Sequence, residues 1–405
     1  MATVLGDCIE IMKNMESNSV DSIITDPPYE LGFMCKKWDS TGIAFNCEVW
    51  SEALRVLKPG GHILAFGGTR TFHRMVCAME DAGFEIRDMI EWVYGSGFPK
   101  SNNIGKSIDK LCCNKRIWIS KNPNKASEKA ELASAGKCQS GRTTHPDITK
   151  GISKWEGWGS ALKPAHEPIC LARKPIEEST IAKNVLKYGT GGINIDKCRV
   201  EIDVKVDNPN IKHHSNKKST FSSNSTNWDT TNIKSIGRFP ANIIHDGSDA
   251  VLEVFPYSKS GGAGGNGKGK LKGNIYGKMN CDNINKQNGI IEEGSAARFF
   301  YCAKVSKSER NQGCECLEDN RNIHPTVKPQ KLLKYLITLI TPENGIVLDP
   351  FMGSGSTGMA AYSLKREFIG IELNEEYYNI ANKRINSINT IKEDKEDNLF
   401  SCIGE

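Results

Sequence analysis

Two separated parts of the chain alternate strand-like and helix-like segments. In residues 1–100, the apolar segments DSIIT and GHILAFGG flank FNCEVWSEALRVL, which has the apolar spacing of a helix. From about residue 321 the alternation returns, with the helix-like PQKLLKYLITLI followed by the strand-like GIVLDPF and EFIGIEL. Strands that alternate with helices pair in parallel and are covered by helices on both faces. The sequence therefore predicts an α/β protein with one doubly wound, mostly parallel sheet assembled from both ends of the chain.

The middle of the chain, residues 101–320, has a different composition. Runs such as HHSNKKSTFSSNSTNWDTTN and SGGAGGNGKGKLKGN are rich in Gly, Ser, Asn and Lys, and they exceed the loops that a compact α/β core needs. Short strand-like segments lie between them: HEPICLARK, GRFPANIIHDG and ARFFYCAK. We therefore expect an irregular inserted module at 101–320, and a polar, frayed tail at 391–405.

Charge, hydropathy and cysteine spacing limit the kinds of partner. The net charge is +5, but residues 101–175 carry 14 Lys/Arg against 6 Asp/Glu, which suits a polyanion such as nucleic acid as well as a solvated surface. No stretch approaches the roughly 18 apolar residues of a membrane span, and a signal segment is lacking, so we expect a cytoplasmic protein without a membrane partner. The 14 cysteines include no CxxC pair, so we expect reduced thiols and no metal.

The segment VLDPFMGSGSTG, residues 347–358, ends a predicted strand in a glycine-rich turn. Gly353, Gly355 and Gly358 have the spacing GxGxxG at the start of a predicted helix, and Glu372 ends the next strand 17 residues after Gly355. Glycine lets the backbone turn sharply and approach a ligand. An acidic residue about 20 positions further on can bind ribose hydroxyls. The pattern indicates an adenosine-containing cofactor, without specifying which one.

The segment DSIITDPPYELGF, residues 21–33, ends a buried strand on Asp26, Pro27, Pro28 and Tyr29. Ligands bind at the carboxyl ends of parallel strands. Pro27 fixes its own φ and restricts the preceding residue to extended geometry, so the Asp26 carboxylate and the Pro27 carbonyl are two rigid acceptors. The Tyr29 ring adds a stacking surface. Two acceptors and a flat ring match the exocyclic amino group of an aromatic base; the alternative is a Pro-Pro turn with a capping Asp.

Together these motifs resemble the S-adenosylmethionine-dependent DNA amino-methyltransferases, which modify adenine N6 or cytosine N4. The likeness covers residues 1–100 and 321–390, and HPTVKPQKLL at 324–333 is a third match in the order of the β group. The segments SGFPKSNNIGK, ALKPAHEPICLARKP and ARFFYCAK look like those of phage and prophage members. The resemblance implies a Rossmann-like methyltransferase sheet in permuted order. Its catalytic half would be 1–100, its cofactor-binding half 321–390, and its DNA target-recognition region 101–320.

The resemblance also implies a role for each motif residue. Asp in the first catalytic position favours adenine over cytosine. The residues expected to handle the target base are Asp26, Pro27, Pro28 and Tyr29. The residues expected to contact S-adenosylmethionine are Asp7, Thr326, Lys328, Asp349, Phe351, Gly353, Gly355, Ser356, Glu372 and Asn374. Glu372 would bind the ribose hydroxyls, and Lys328 the methionine carboxylate. Asp7 fits a contact with the cofactor adenine, but a helix N-cap explains it nearly as well.

The expected function is therefore site-specific methylation of an adenine extruded from double-stranded DNA, with cytosine N4 as the alternative. Arg142, Arg173 and Arg238 are candidate base readers, and the alternative for each is a phosphate contact or an ordinary surface position. A partner restriction endonuclease would fit such an enzyme. Two other classes are a nicotinamide oxidoreductase, which leaves residues 26–29 and the basic segment unexplained, and an inactive DNA-binding protein, which two intact motifs disfavour.

Overall fold

The computed structural model describes residues 2–31, 37–97, 101–120, 148–201, 237–260, 292–303, 309, 311–312, 314, 322 and 327–401. They belong to two compact units. The first unit comprises the chain up to Gly95 and from His166 onward, and the second comprises Ser96–Ala165.

Thirteen strands and nine α-helices are formed by the described residues. The strands are β1 (Ala2–Leu5), β2 (Val20–Thr25), β3 (Leu57–Phe66), β4 (Glu85–Val93), β5 (Ile117–Ser120), β6 (Ile148–Lys150), β7 (His166–Arg173), β8 (Ile243–His245), β9 (Tyr257–Ser260), β10 (Glu292–Ser295), β11 (Tyr301–Cys302), β12 (Ile346–Asp349) and β13 (Glu367–Glu372). The helices are α1 (Cys8–Lys13), α2 (Cys47–Val56), α3 (Phe72–Asp81), α4 (Ile104–Leu111), α5 (Ile181–Tyr188), α6 (Asp249–Leu252), α7 (Gln330–Ile340), α8 (Ser356–Ser363) and α9 (Glu375–Ser401).

The first unit is built on a nine-stranded sheet with the order β1-β13-β12-β2-β3-β7-β4-β8-β11. All neighbouring strands pair in parallel except β7, which is antiparallel to both β3 and β4. The two ends of the chain join where β12 pairs with β2, with Leu348 opposite Ile23. The predicted mostly parallel sheet from both ends of the chain is confirmed. The carboxyl ends of β13, β12, β2, β3 and β4 lie at one edge, together with the amino end of β7.

Helices cover both faces of this sheet. Because side chains alternate along a strand, Ile23 and Ile63 belong to one apolar cluster, with Val49 and Trp50 of α2 and with side chains of α3. Their chain neighbours Ile24 and Leu64 belong to a second cluster on the opposite face, with leucines of α7 and with Met359 of α8. The sheet is thus doubly wound, as predicted, and its strands are apolar on both sides.

Three strands of this sheet come from the range 101–320, which we expected as a separate module. The strand β7 is buried along six of its eight residues, the pattern of a strand in a sheet interior. The strands β8 and β11 extend the sheet beyond β4. The compact second unit is much shorter than the expected module. At the other end, α9 continues to Ser401, where we expected a frayed tail from residue 391.

In the second unit, α4 accompanies an antiparallel pair of strands, β5 and β6. Arg116 connects them, because its guanidinium pairs with the fully buried carboxylate of Asp109 and with Glu156 at 2.7 Å, and also donates to the Thr149 carbonyl at 2.9 Å. This buried ionic cluster stabilises a unit whose apolar residues are largely exposed. Across all described residues, the helices are too short or too polar to span a bilayer.

Candidate active site at the carboxyl edge of the sheet

The two motifs identified in the sequence meet at one point of the sheet edge. β2 ends at Thr25 and β12 ends at Asp349, and these strands are neighbours. The Thr25 hydroxyl donates to Asp349 Oδ1 at 2.8 Å, across 324 positions of the chain. The Asp26 carboxylate is close enough to contribute to the raised pKa of Asp349. The two motifs therefore meet at the carboxyl ends of neighbouring strands.

One oxygen of the Asp26 carboxylate accepts a hydrogen bond, and the other has no hydrogen-bond partner among the described residues. The Lys328 ammonium donates to Asp26 Oδ2 at 2.7 Å. The other oxygen, Asp26 Oδ1, is buried and receives no hydrogen bond from any residue that the structure describes. A buried acceptor without a donor costs about 1–3 kcal/mol. This oxygen therefore has unused acceptor capacity.

Lys328 lies at the centre of a buried polar network. Its side chain is 7% exposed, and its ammonium donates to the Tyr29 hydroxyl at 3.1 Å and pairs with Glu167 Oε2 at 3.2 Å. It also lies 4.9 Å from the centre of the Phe66 ring, a cation–π distance. Burial disfavours the charge, but the carboxylates of Asp26 and Glu167 outweigh it and raise the pKa of Lys328 above its ordinary value. Lys328 is therefore a permanent cation in this cleft.

Tyr29 is fixed at both its backbone and its hydroxyl. Its hydroxyl donates to Glu167 Oε2 at 3.1 Å, and its carbonyl accepts from the Thr71 hydroxyl at 2.7 Å. Burial, followed by the charges of Asp26 and Glu167, raises the pKa of Tyr29 well above its ordinary value. The phenol is thus neutral at physiological pH, and its ring is held in one orientation.

On the cofactor side, Glu372 holds the glycine turn. Its Oε2 accepts from the Gly353 N–H and its Oε1 from the Asn374 N–H, each at 2.8 Å. Gly353 has a φ of +53°, a backbone conformation that favours glycine. Burial raises the pKa of Glu372 above its ordinary value. A carboxylate has about four acceptor positions, so Glu372 keeps capacity for hydroxyl groups of a ligand.

The remaining predicted cofactor residues that the structure describes lie near this turn or along the same edge. Ser356 begins α8 and accepts a hydrogen bond from Gln330 Nε2 through its carbonyl, at 3.0 Å. Phe351 packs against the cluster under α2. Asp7 follows β1 and accepts a hydrogen bond from the Ile9 N–H at 2.9 Å. It is therefore the N-cap of α1, the alternative to a contact with the cofactor adenine. Thr326 lies outside the described residues.

Lys328 is placed differently from our expectation. We predicted that it faces the methionine carboxylate of the cofactor, but its three N–H donors contact Asp26, Glu167 and the Tyr29 hydroxyl. In this arrangement no donor is left for a third anion. Lys328 belongs to the pocket of the catalytic motif, and its contact with the cofactor stays a prediction.

Sequence reasoning missed Glu167 and Phe66. The sequence does show Glu167 as a charged residue at the start of the apolar run PICLA. Its place in the site, however, could be predicted only by knowing that β7 is antiparallel. Only that direction brings the amino end of β7 to the edge where β2 ends. Phe66, the last residue of β3, was hidden within an ordinary apolar strand.

The structure describes two of the three candidate base-reading arginines, and both are engaged by other groups of the protein. Arg173 is buried in β7 and pairs with Glu85 at 2.6 Å, so it stabilises the sheet. Arg238 donates to the carbonyls of Arg298 and Glu201, at 2.9 and 3.2 Å. Arg142 lies outside the described residues. Within the described ranges, His, Cys, Asp and Glu side chains form no group of three that could hold a metal ion.

Comparison with known proteins identifies the family. Residues 20–383 match the model of the N6/N4 methyltransferase family described as DNA methylase, so this chain belongs to that family and is a DNA methyltransferase. The type II methyltransferase M.HindIII of Haemophilus influenzae is 25% identical over 423 residues, covering 94% of this chain and 93% of that protein.

Two solved structures are also similar to the chain. The complex of M1.HpyAVI with SAM has a TM-score of 0.40 at 18% identity and covers 95% of this chain and 98% of its own. The cytosine-N4-specific PvuII DNA methyltransferase has a TM-score of 0.46 at 14% identity, with coverages of 95% and 85%.

We predict that Gly358→Ala destabilises the protein even without a ligand. Alanine in a helix interior is normally about 1 kcal/mol more favourable than glycine. Here the new methyl group would come within 2.6 Å of Ile385 and 2.7 Å of Phe368, and overpacking costs about 1–3 kcal/mol. We expect a net loss of up to about 2 kcal/mol in the free energy of urea unfolding. A gain in stability would show that this glycine serves the ligand and not the packing of α8.

We predict that Asp349→Asn removes a pH dependence of stability. Burial raises the pKa of Asp349 from 3.8 to about 7, although hydrogen bonds from Thr357 and Thr25 oppose it. Between these values the folded protein holds a proton that the unfolded chain has lost, so the unfolding free energy falls as pH rises. The variant should match the wild type near pH 4 and exceed it at pH 8, on the order of 1–3 kcal/mol. Urea unfolding at several pH values measures this; parallel curves would contradict it.

Proposed function

We propose that this DNA methyltransferase transfers a methyl group from S-adenosylmethionine to the exocyclic N6 amine of an adenine in DNA. The observation that carries the proposal is the buried, open Asp26 Oδ1 at the end of β2. Pro27 follows Asp26 in the chain and its carbonyl would be the second acceptor, and Asp26 lies at the same sheet edge as Asp349 of the cofactor motif. An amino group with two N–H bonds fits two such acceptors.

The two acceptors would act on the nucleophile. The lone pair of an exocyclic amine is delocalised into the ring, which makes the nitrogen a poor nucleophile. If one N–H donates to Asp26 Oδ1 and the other to the Pro27 carbonyl, the nitrogen can become pyramidal and its lone pair is released. Acceptors already aimed at a developing charge contribute roughly 10²–10³ in rate by analogy with oxyanion holes. Lys328 orients Asp26 through the other oxygen, Oδ2, to which it donates at 2.7 Å.

The cofactor would lie along the ends of β12 and β13. S-adenosylmethionine supplies an activated methyl group on a sulfonium, so no covalent enzyme intermediate is needed. Glu372 has the acceptor capacity for ribose hydroxyls, and the turn at Gly353 exposes backbone next to it. Asp349 provides a carboxylate at the junction with the catalytic motif. Contacts of Asp7, Thr326, Phe351, Ser356 and Asn374 with the cofactor are part of this proposal.

The target base would have to leave the double helix to reach Asp26. Extrusion costs a few kcal/mol, which stacking on the fixed Tyr29 ring offsets. An Asp at the first catalytic position supports adenine. Cytosine N4 presents the same kind of amino group and is the second candidate.

The second unit would supply part of the DNA contact. Its only acidic residues in the described ranges, Asp109 and Glu156, both pair with Arg116. The surface charge is therefore set by exposed lysines: Lys106, Lys110, Lys115, Lys150, Lys154 and Lys163. Trp118 and Trp158 are each 59% exposed on the same unit. Lysines interleaved with aromatic rings suit phosphates and bases. Target recognition by the wider range 101–320, phage-like ancestry and a partner endonuclease stay predictions.

We predict that Asp26→Ala abolishes methyl transfer and leaves the affinity for S-adenosylhomocysteine within a few-fold. The substitution removes the acceptor for the amine, whereas Glu372 and the glycine turn remain. Tritium transfer to mixed DNA measures the activity, and calorimetry measures the affinity. Equal loss of both would mean that Asp26 has another role.

The modified base identifies the substrate. Digestion of methylated DNA to nucleosides and mass analysis should give N6-methyldeoxyadenosine. N4-methyldeoxycytidine would support the second candidate, and the absence of any methylated nucleoside with folded, cofactor-binding protein would contradict the proposed function.

We predict that Lys150→Ala with Lys154→Ala weakens DNA binding regardless of DNA sequence. Each lost phosphate contact should make the slope of log affinity against log salt shallower by about 0.9. Titration of labelled DNA at several salt concentrations measures this. Lys187→Ala is the matched control, because Lys187 is an exposed lysine already paired with Glu178 at 2.9 Å. An unchanged slope in the double variant would exclude these lysines from the DNA contact.

A further inference from the structure

We infer that Glu167 is a positioning residue of the methyltransferase site, which orients Asp26 and Tyr29 without contacting the substrate. The inference rests on the proposed function of the same cleft. Glu167 Oε2 contacts both the Tyr29 hydroxyl, at 3.1 Å, and the Lys328 ammonium, at 3.2 Å. A single carboxylate oxygen thus connects the stacking ring to the cation that holds the catalytic carboxylate.

The direction of β7 explains why Glu167 is found at this edge. β7 runs antiparallel between β3 and β4, and Glu167 pairs in register with Trp92 near the end of β4. The amino end of β7 therefore lies where parallel strands place their carboxyl ends. Pro168 follows Glu167 and restricts it to extended geometry. The Glu167 side chain is 19% exposed, so its contacts are partly shielded from solvent.

The charge of Glu167 determines how Lys328 is shared. The ammonium lies between two carboxylates, at 2.7 Å from Asp26 Oδ2 and 3.2 Å from Glu167 Oε2. Attraction to Glu167 opposes a closer approach of the ammonium to Asp26. If Glu167 were neutral, the cation would be drawn to Asp26 alone and would compete for Oδ1. The charge of Glu167 thus keeps that oxygen open for the amine of the base.

The same carboxylate fixes the Tyr29 ring. The Tyr29 backbone is held by Thr71, but the ring could still turn about its side-chain bonds. The hydrogen bond from its hydroxyl to Glu167 removes this freedom. A ring that is already oriented loses less conformational entropy when a base stacks on it. Substitution of Glu167 should therefore reduce the population of the extruded base as well as the rate of the methyl-transfer step.

The test compares Glu167→Gln with the wild type in single-turnover methyl transfer. Glutamine keeps the size and an acceptor oxygen but loses the charge. We expect the rate to fall about 10- to 100-fold, the range for one charged hydrogen bond. The affinity for S-adenosylhomocysteine should stay within a few-fold, and the melting temperature should show that the variant is folded. Glu91→Gln is the matched control, since Glu91 lies at the same edge and pairs with His166 instead.

A second measurement follows the extrusion of the base. DNA sequencing first locates the target position, and 2-aminopurine is then placed there. Binding of the wild type should raise the 2-aminopurine fluorescence, and binding of Glu167→Gln should raise it less. A purely structural role would lower the melting temperature and the cofactor affinity along with the rate. Such a common loss, or a rate within twofold of the wild type, would overturn the inference. A wild type without methyl transfer would instead contradict the proposed function.

A double-mutant cycle tests the route through the ring. Glu167→Gln should cost less in a Tyr29→Phe background, because the hydroxyl that Glu167 holds is already absent. Independent, multiplicative effects of the two substitutions would overturn the route through Tyr29.

Discussion

The pairing of β2 with β12 is the constraint on which the site depends. These strands come from opposite ends of the chain, and their carboxyl ends place Asp26 and Asp349 at one point of the sheet edge. The Thr25–Asp349 hydrogen bond closes this junction in a fully buried position. Without the pairing, Asp26 and the glycine turn after Asp349 would lie at two unrelated strand ends.

Charge balance determines the state of the cleft. Two carboxylates share one buried ammonium, so the pocket around Lys328 carries a net negative charge. A buried pair that lacks one partner is strongly destabilised, which makes the three groups interdependent. This excess of negative charge suits a site that must receive both a sulfonium and the hydrogen atoms of an amine. Asp26 Oδ1 is the buried acceptor of this network that receives no hydrogen bond from the described residues.

Local signals explain what the sequence could predict. Alternating apolar segments, the proline pair after Asp26 and the glycines after Asp349 are short-range features, and they correctly located strands and strand ends. The role of each glycine was harder to predict from the sequence. Gly355 and Gly358 have the spacing of a ligand-binding turn, yet added methyl groups would meet Ala381 and Phe368, so packing alone requires small residues there.

Non-local pairing explains what the sequence could not predict. The segment around β7 resembles any short buried strand, and only its place between β3 and β4 makes it part of the main sheet. The role of Glu167 depends on the direction of that strand. The partners of Lys328 likewise depend on a fold that brings residues 26, 167 and 328 together. Patterns within ten or twenty residues carry no information about such contacts.

The most direct test of the central claim is a crystal structure with a non-transferring cofactor analogue and a DNA duplex. The duplex contains the sequence that the enzyme methylates, in its unmodified form. We predict an extruded base on the Tyr29 ring, its amino group within hydrogen-bond distance of Asp26 Oδ1 and the Pro27 carbonyl, and the analogue bound at Glu372. A base that remains stacked in the duplex, or an amino group that faces neither acceptor, would contradict the account.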